Sequence, residues 1–136
     1  MKTRTASCCC GGLTALITAD PEWVVACHCR ECQRRTGSVL GVGAYFLKTQ
    51  VQIAGERRVF VREGQAGRNL SFNFCPTCGG TVLWELELRP DHLGIAVGAL
   101  SDPSFPAPTR SVWEDSRHQW IEFGHDVARF SRQAIT

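Results

Sequence analysis

Apolar and polar residues alternate most clearly in the middle of the chain, where Ser71 and Asn73 separate Leu70, Phe72 and Phe74. A period of two predicts a strand that buries one face. Shorter stretches between turn residues predict further strands near residues 13–19, 23–26, 38–46, 82–86 and 93–97. With this many short strands and little helix, the chain is expected to be all-β or β-rich.

Two local patterns add detail to these strands. Residues 51–53 alternate, residues 54–56 form a turn, and the apolar residues 59–61 follow, which together predict a β-hairpin. Residues 30–36 predict a helical turn, and Gly37 is expected to end it.

The length and charge of the chain limit its class. The 136 residues suffice for one domain, which we expect over residues 1–136. The net charge of +2 is too mild to indicate binding of nucleic acid or a membrane surface. No apolar run approaches the roughly 20 residues of a membrane span. The first residues lack the apolar segment of a secretion signal, so a cytoplasmic location is expected.

The sequence contains eight cysteines. In a reducing compartment, metal binding or catalysis is the expected use, with disulfide bonds as the alternative. The thiols form three clusters: Cys8, Cys9 and Cys10; Cys27, Cys29 and Cys32; Cys75 and Cys78. Thiolates gathered in this way are typical ligands of Zn²⁺.

The middle cluster, Cys27-His28-Cys29-Arg30-Glu31-Cys32, has the spacing C-x-C-x-x-C. Three thiolates occupy three corners of a tetrahedron around zinc and leave the fourth corner to water or substrate. The cluster therefore predicts an open, reactive zinc site.

The segment Cys75-Pro76-Thr77-Cys78-Gly79-Gly80 predicts a zinc knuckle that supplies two ligands. Cys8 and Cys10 are the expected other two, because Cys10-Gly11 then mirrors Cys78-Gly79, and Cys9 would point elsewhere. Two alternatives remain. The first cluster is incidental, or a purely structural ribbon forms from Cys29, Cys32, Cys75 and Cys78.

Other polar residues are weaker candidates. His28 is either a ligand, a proton carrier or an exposed polar residue, and Glu31 is either a base or a solvated carboxylate. Basic side chains near the thiols are candidates for binding substrate carboxylates, with a solvated face as the alternative; they are Arg30, Arg34 and Arg35.

The sequence resembles the glutathione-dependent formaldehyde-activating enzyme family, whose domain also occurs in a centromere-associated protein. The resemblance lies in Cys8-Cys9-Cys10-Gly11, in residues 27–32 with Thr36-Gly37-Ser38, and in Phe74-Cys75-Pro76-Thr77-Cys78-Gly79. It continues through residues 98–103 to Trp120, and so covers about residues 7–121. Residues 122–136 are then a C-terminal tail.

The resemblance implies an Mss4-like fold of small coiled antiparallel sheets and two zinc ions. One structural zinc is expected at Cys8, Cys10, Cys75 and Cys78. One labile zinc is expected at Cys27, Cys29 and Cys32, near a glutathione site. Two departures stand out: Cys9 is an additional thiol, and Ser101 replaces a frequent Asp.

The implied reaction joins formaldehyde and glutathione to S-(hydroxymethyl)glutathione, which is carbon–sulfur lyase chemistry. Cys27, Cys29 and Cys32 are then the catalytic residues, and Arg34, Arg35 or Lys48 contact the glutathione carboxylates. The alternative is a non-catalytic module that contains zinc and binds a thiol or a protein. Small-molecule thiol and aldehyde are the expected partners, with no nucleic acid and no membrane; the sequence does not predict an oligomeric state.

Overall fold

The computed structural model describes residues 2–64 and 67–133. The helix is α1 (Arg30–Thr36), and the strands are β1 (Thr3–Ser7), β2 (Leu13–Thr18), β3 (Trp23–Cys27), β4 (Gly41–Leu47), β5 (Val51–Gly55), β6 (Arg58–Glu63), β7 (Asn69–Phe74), β8 (Thr81–Leu86), β9 (Arg89–Ala96), β10 (Arg110–Val112) and β11 (Ala128–Arg129). Short 3-10 helices cover Lys48–Gln50, Val97–Leu100 and Glu114–Ser116. Strands make up 45% of the described residues and helices 13%, which confirms the β-rich prediction. Among the described residues, no helix has the length and apolarity of a membrane span.

The chain divides into two compact units, of which the first comprises Met1–Glu22 and Ala44–Pro103. It contains an antiparallel three-stranded sheet in the order β1-β2-β5. Leu13, Ala15 and Ile17 of the central strand are fully buried and form part of the core. Strand β1 was missed by the sequence pattern, because Thr3-Arg4-Thr5 carries no apolar alternation.

The predicted hairpin of residues 51–61 is wrong. Strand β5 pairs with β2, whereas β6 pairs with β7. The backbone of Gly55 explains the separation: its φ is 98°, and a Cβ there would overlap the carbonyl oxygen of Gly12. Gly55 therefore serves a close approach to the chain before β2 rather than a tight hairpin turn.

The first unit also contains the adjacent strands β9, β8, β7 and β6, in that order, with antiparallel pairing. Val82, Leu83 and Ile95 are fully buried in its core, and Trp84 is nearly so. Trp84 lies opposite Gly94, where any Cβ would collide with the indole ring. The loop between β7 and β8 carries Cys75 and Cys78, so this core holds the knuckle in place.

The second unit comprises Trp23–Gly43 and Ser104–Thr136. Here β10 pairs with both β3 and β11, and both pairings are parallel. Helix α1 ends at Gly37, whose φ of 70° is the left-handed conformation that glycine adopts easily, as predicted. Strand β11 lies in the predicted tail, whose last three residues fall outside the described part of the chain.

Two candidate metal centres

Four thiols of the first unit converge on one point. The sulfur atoms of Cys8, Cys10, Cys75 and Cys78 all lie within 4.8 Å of one another. The Sγ atom of Cys10 is 3.5 Å from that of Cys75 and 3.7 Å from that of Cys8. Zn–S bonds of about 2.3 Å place tetrahedral sulfurs about 3.8 Å apart. The four residues predicted to share one ion thus lie close enough together to bind one zinc ion, and two of their distances are near the tetrahedral value.

The two turns that present these sulfurs are built alike. Gly11 follows Cys10 and Gly79 follows Cys78, with φ angles of 80° and 78°. Their N–H groups donate to the carbonyls of Cys8 and Cys75 and close both turns. The N–H of Leu13 also donates to the Cys8 sulfur at 3.2 Å. Such N–H groups favour thiolates, as in zinc knuckles.

The thiols of this group differ in acidity. Backbone N–H groups of Cys10 and Gly80 lower the pKa of Cys78 to about 6. The N–H of Gly12 favours the Cys10 thiolate, but the neighbouring sulfurs of Cys75 and Cys8 outweigh it and raise the pKa of Cys10 to about 12. Sulfurs this close cannot all be thiolates without a cation among them. The group therefore suits a soft divalent ion.

The grouping bears on the alternatives left open by the sequence. All eight cysteines are free thiols. Because Cys75 and Cys78 share their group with Cys8 and Cys10, the geometry favours this set over a ribbon with Cys29 and Cys32. Cys9 is exposed and is not a member of either sulfur group of the described residues.

Three further thiols converge in the second unit. The sulfur atoms of Cys27, Cys29 and Cys32 lie within 4.8 Å of one another. Cys27 ends β3, Cys29 caps α1 by accepting the N–H of Cys32 at 3.2 Å, and Cys32 is buried in the first helical turn. Hydrogen bonds to Cys29 and Cys32, with burial, raise the pKa of the Cys27 thiol. A soft cation fits this set too, and three protein ligands leave one position open.

The three residues predicted to contact glutathione, Arg34, Arg35 and Lys48, differ in their surroundings. Arg34 is exposed and binds Glu31 at 2.6 Å, so Glu31 is a solvated carboxylate rather than a base held at the thiols. Arg35 lies on the Cys32 side of α1, since a Cβ on Gly41 would be 3.0 Å from its Nη2 atom and 3.6 Å from the Cys32 Cβ. Lys48 belongs to the first unit, where it pairs with Glu85 at 3.5 Å. The three contacts stay predictions.

His28 is neither the exposed residue nor one of the clustered ligands. Its side chain is fully buried, and its Nε2 atom lies 2.9 Å from Ser111 Oγ. Burial lowers the pKa of His28. Ser111 in turn donates to Glu114, and the Glu114 carboxylate also binds Arg129.

Sequence reasoning missed Ser111 and Glu114. The only signal nearby was the apolar pair Val112-Trp113, which indicated a buried segment without indicating what its polar neighbours contact. The three residues do not form a Ser-His-acid triad, because Glu114 binds the serine and not the second imidazole nitrogen. Ser111 is also fully buried, so it is not accessible as a nucleophile.

Comparison with known proteins agrees with these observations. Residues 3–116 match the family described as glutathione-dependent formaldehyde-activating enzyme. A crystal structure of a Rhodobacter sphaeroides protein, a structural-genomics target, is similar in fold with a TM-score of 0.53. It shares 19% sequence identity, and the alignment covers 73% of this chain and 91% of that one. No curated protein matches the sequence significantly. Since the family match spans most of the sequence, the chain belongs to the glutathione-dependent formaldehyde-activating enzyme family.

Proposed function

We propose that the chain is a zinc-dependent carbon–sulfur lyase-type enzyme that acts on an adduct of a thiol and an aldehyde, such as S-(hydroxymethyl)glutathione formed from formaldehyde. The observation that carries the proposal is the convergence of Cys27, Cys29 and Cys32 with one ligand position left over. Membership in a family named for glutathione and formaldehyde supports this choice of substrates. The proposal includes one domain over residues 1–136, an Mss4-like fold and a cytoplasmic location.

The two sulfur groups take different roles. A structural ion with all four ligand positions filled would be held by Cys8, Cys10, Cys75 and Cys78. A labile ion would be held by Cys27, Cys29 and Cys32. A bound zinc ion would supply Lewis acidity to a thiol sulfur or an aldehyde oxygen. Three thiolates reduce the Lewis acidity of the ion, so a fourth ligand would bind weakly enough to exchange.

The polar residues near the three thiols would bind and orient the substrate. Arg35 lies beside Cys32 and is the best placed cation for a carboxylate of glutathione. Arg34 must first break its ion pair with Glu31, which costs little because the pair is exposed. Lys48 is similarly paired with Glu85.

The direct test is the rate of exchange between formaldehyde, glutathione and their adduct, followed by magnetization-transfer NMR with and without the protein. Wild-type protein and Cys9→Ser are expected to accelerate the exchange, whereas Cys27→Ser is expected to lose the effect while it retains one metal ion. Equal exchange rates with wild type and Cys27→Ser, across several thiols and aldehydes, would sink the enzymatic proposal.

A second measurement concerns the metal itself. Two zinc ions per chain are expected by mass spectrometry after purification with reductant, and one after dialysis against glutathione. Loss of the second ion in Cys32→Ser assigns it to the three-cysteine group. Wild-type protein with one ion, indifferent to Cys32→Ser, contradicts the labile site.

One observation favours a second candidate function, a non-catalytic module that binds a thiol. Near the three thiols, His28 is fully buried and Glu31 is bound to Arg34, so neither is poised as a general acid or base. Thiol addition to formaldehyde is also fast without a catalyst. Saturable glutathione binding with unchanged exchange rates would select this module.

A further inference from the structure

His28, the residue between Cys27 and Cys29, is hydrogen-bonded through both its side chain and its main chain. Nε2 of His28 lies 2.9 Å from Ser111 Oγ, and that hydroxyl donates to Glu114 Oε2 at 2.5 Å. Since the serine hydrogen goes to the carboxylate, its oxygen accepts from His28. The shared hydrogen therefore lies on Nε2, and Nδ1 is the bare nitrogen. Nδ1 has no hydrogen-bond partner within the described residues, in agreement with this assignment.

The main chain of His28 is held by the same segment. Its N–H donates to the carbonyl of Val112 at 3.1 Å. Its carbonyl accepts from Ser116 Oγ at 2.7 Å and from Gln33 Nε2 at 2.9 Å. Ring, N–H and carbonyl are thus all bonded to residues 111–116 or to α1, which leaves the peptide between Cys27 and Cys29 little freedom.

The segment that holds His28 is itself anchored. Glu114 lies three residues after Ser111 and returns to it because Trp113 adopts a left-handed conformation with φ of 58°. Arg129 binds the Glu114 carboxylate at 3.0 Å, and Arg117 lies 3.6 Å from it. A left-handed conformation is unfavourable in a residue other than glycine, so the surrounding contacts must stabilise this turn.

The position of His28 bears directly on the thiols. In extended backbone, successive side chains point to opposite sides, so Cys27 and Cys29 share one side and His28 takes the other. Fixing His28 therefore fixes the direction of both neighbouring sulfurs. None of Ser111, Glu114 and Ser116 belongs to the sulfur group, and the side chains of Ser111 and Ser116 reach it through their hydrogen bonds to His28.

We propose that Ser111, Glu114 and Ser116 are positioning residues that hold His28 and so pre-set the Cys27, Cys29 and Cys32 sulfurs for a metal ion. This rests on the proposed function in one respect, the presence of a metal at these three thiols. Hydrogen-bonded supports behind metal ligands typically change affinity 10- to 100-fold. Ser111 contacts His28 rather than a sulfur, and Glu114 contacts Ser111, so the lower end of this range, about 10-fold, is expected for Ser111→Ala and Glu114→Gln.

The test is titration of the full-length, metal-free chain with Co²⁺ against a chromophoric chelator. Thiolate-bound Co²⁺ absorbs in the visible and near-ultraviolet, so each site has a spectroscopic signature besides activity. For Ser111→Ala and Glu114→Gln, about 10-fold weaker binding and a shifted spectrum are expected at the three-cysteine site. The four-cysteine site should be unchanged. Asp115→Asn, in the same turn but bonded to Arg132, is the matched control and should behave as wild type.

Each outcome either supports or overturns the positioning role of these residues. Unchanged second-site affinity and spectrum in both variants overturn the positioning role, even where the unfolding temperature falls. Should Ser111→Ala fail to fold, Glu114→Gln decides alone, because it is isosteric and replaces a partly exposed carboxylate. If the wild-type chain binds only one Co²⁺ and Cys27→Ser does not change this, the proposed function is contradicted. If the wild-type chain binds two ions and both variants bind them as wild type does, only the positioning role is contradicted.

Discussion

The Sγ atoms of Cys10 and Cys75 lie 3.5 Å apart although 65 residues separate them in the chain. The contact joins the turn after β1 to the knuckle after β7, and both turns belong to the first unit. An ion at this point would link two distant parts of the same core, which makes its binding energy a contribution to folding.

Cys10→Ser is therefore expected to weaken the first metal site at least 100-fold, which corresponds to about 2.7 kcal/mol. The reason is the loss of one of four thiolates in a closed site. Metal content and the unfolding temperature with and without chelator are the measurements. Cys9→Ser is the matched control, since it removes an exposed thiol from the same tripeptide. Equal metal loss in both variants would contradict the assignment of the ligands.

The lowered pKa of Glu114 predicts that the free energy of unfolding decreases at acid pH. Burial alone would raise its pKa, but hydrogen bonds from Ser111 and Arg129 outweigh burial and hold the pKa below its ordinary value near 4.5. The carboxylate therefore stabilises the fold above that ordinary value, and the contribution is lost as pH falls through the lower folded pKa. Wild type should exceed Glu114→Gln in unfolding free energy by about 1–2 kcal/mol near neutral pH.

The difference between these two proteins should shrink as the pH falls below the ordinary glutamate pKa near 4.5 and through the lower pKa of folded Glu114. Thermal unfolding of both proteins at each pH, in the presence of a chelator, measures it; the chelator is needed because Glu114→Gln is also expected to weaken metal binding. Asp115→Asn removes a neighbouring charge without touching Ser111 and should stay within about 0.5 kcal/mol of wild type. A constant difference across this pH range would rule out the carboxylate as its source.

Gly55→Ala is expected to destabilise the first unit by about 2–4 kcal/mol. The residue has a φ of 98°, and the new Cβ would overlap the backbone oxygen of Gly12, which no rotamer change relieves. Chemical denaturation gives the value. Gly98→Ala is the control, because its Cβ would meet nothing within 4 Å. Similar losses in both variants would mean that the close approach at Gly55 is not the cause.

Ser101→Gly is expected to stabilise the protein by about 0.5–1 kcal/mol. Ser101 caps the 3-10 helix Val97–Leu100 with a φ of 50°, a left-handed conformation that costs less in glycine. Ser71→Gly, in the extended strand β7, should instead lose about 0.5–1 kcal/mol. A loss at both positions, measured by the same denaturation experiment, would show that relief at Ser101 is smaller than the entropy cost of glycine.

The features that sequence predicted well are local. The spacing of Cys75 and Cys78, the helical turn that Gly37 ends and the alternation of β7 each follow from a few adjacent residues. The pairing of Cys10 with Cys75 was also within reach, because two turns with the same Cys-Gly ending are recognisable without knowledge of the chain between them.

The features that it missed depend on distant partners. Apolar residues in β5 and β6 indicated strands correctly, but their neighbours are set by the approach of Gly55 to Gly12, which alternation does not encode. From the sequence, His28 is a candidate ligand, proton carrier or exposed residue, because nothing in the sequence indicates its contact with Ser111, 83 residues later. Polar burial depends on such partners, and their spacing carries no periodic signal.

The distance between partners has a consequence for synthesis. Cys10 leaves the ribosome 65 residues before Cys75, and His28 leaves it 83 residues before Ser111. At about 5–20 residues per second, several seconds pass in which the early thiols have been made and their partners have not. During that time the nascent chain is exposed to oxidants and to stray metals. We therefore expect the yield of correctly loaded protein to depend on the supply of reductant and zinc during translation.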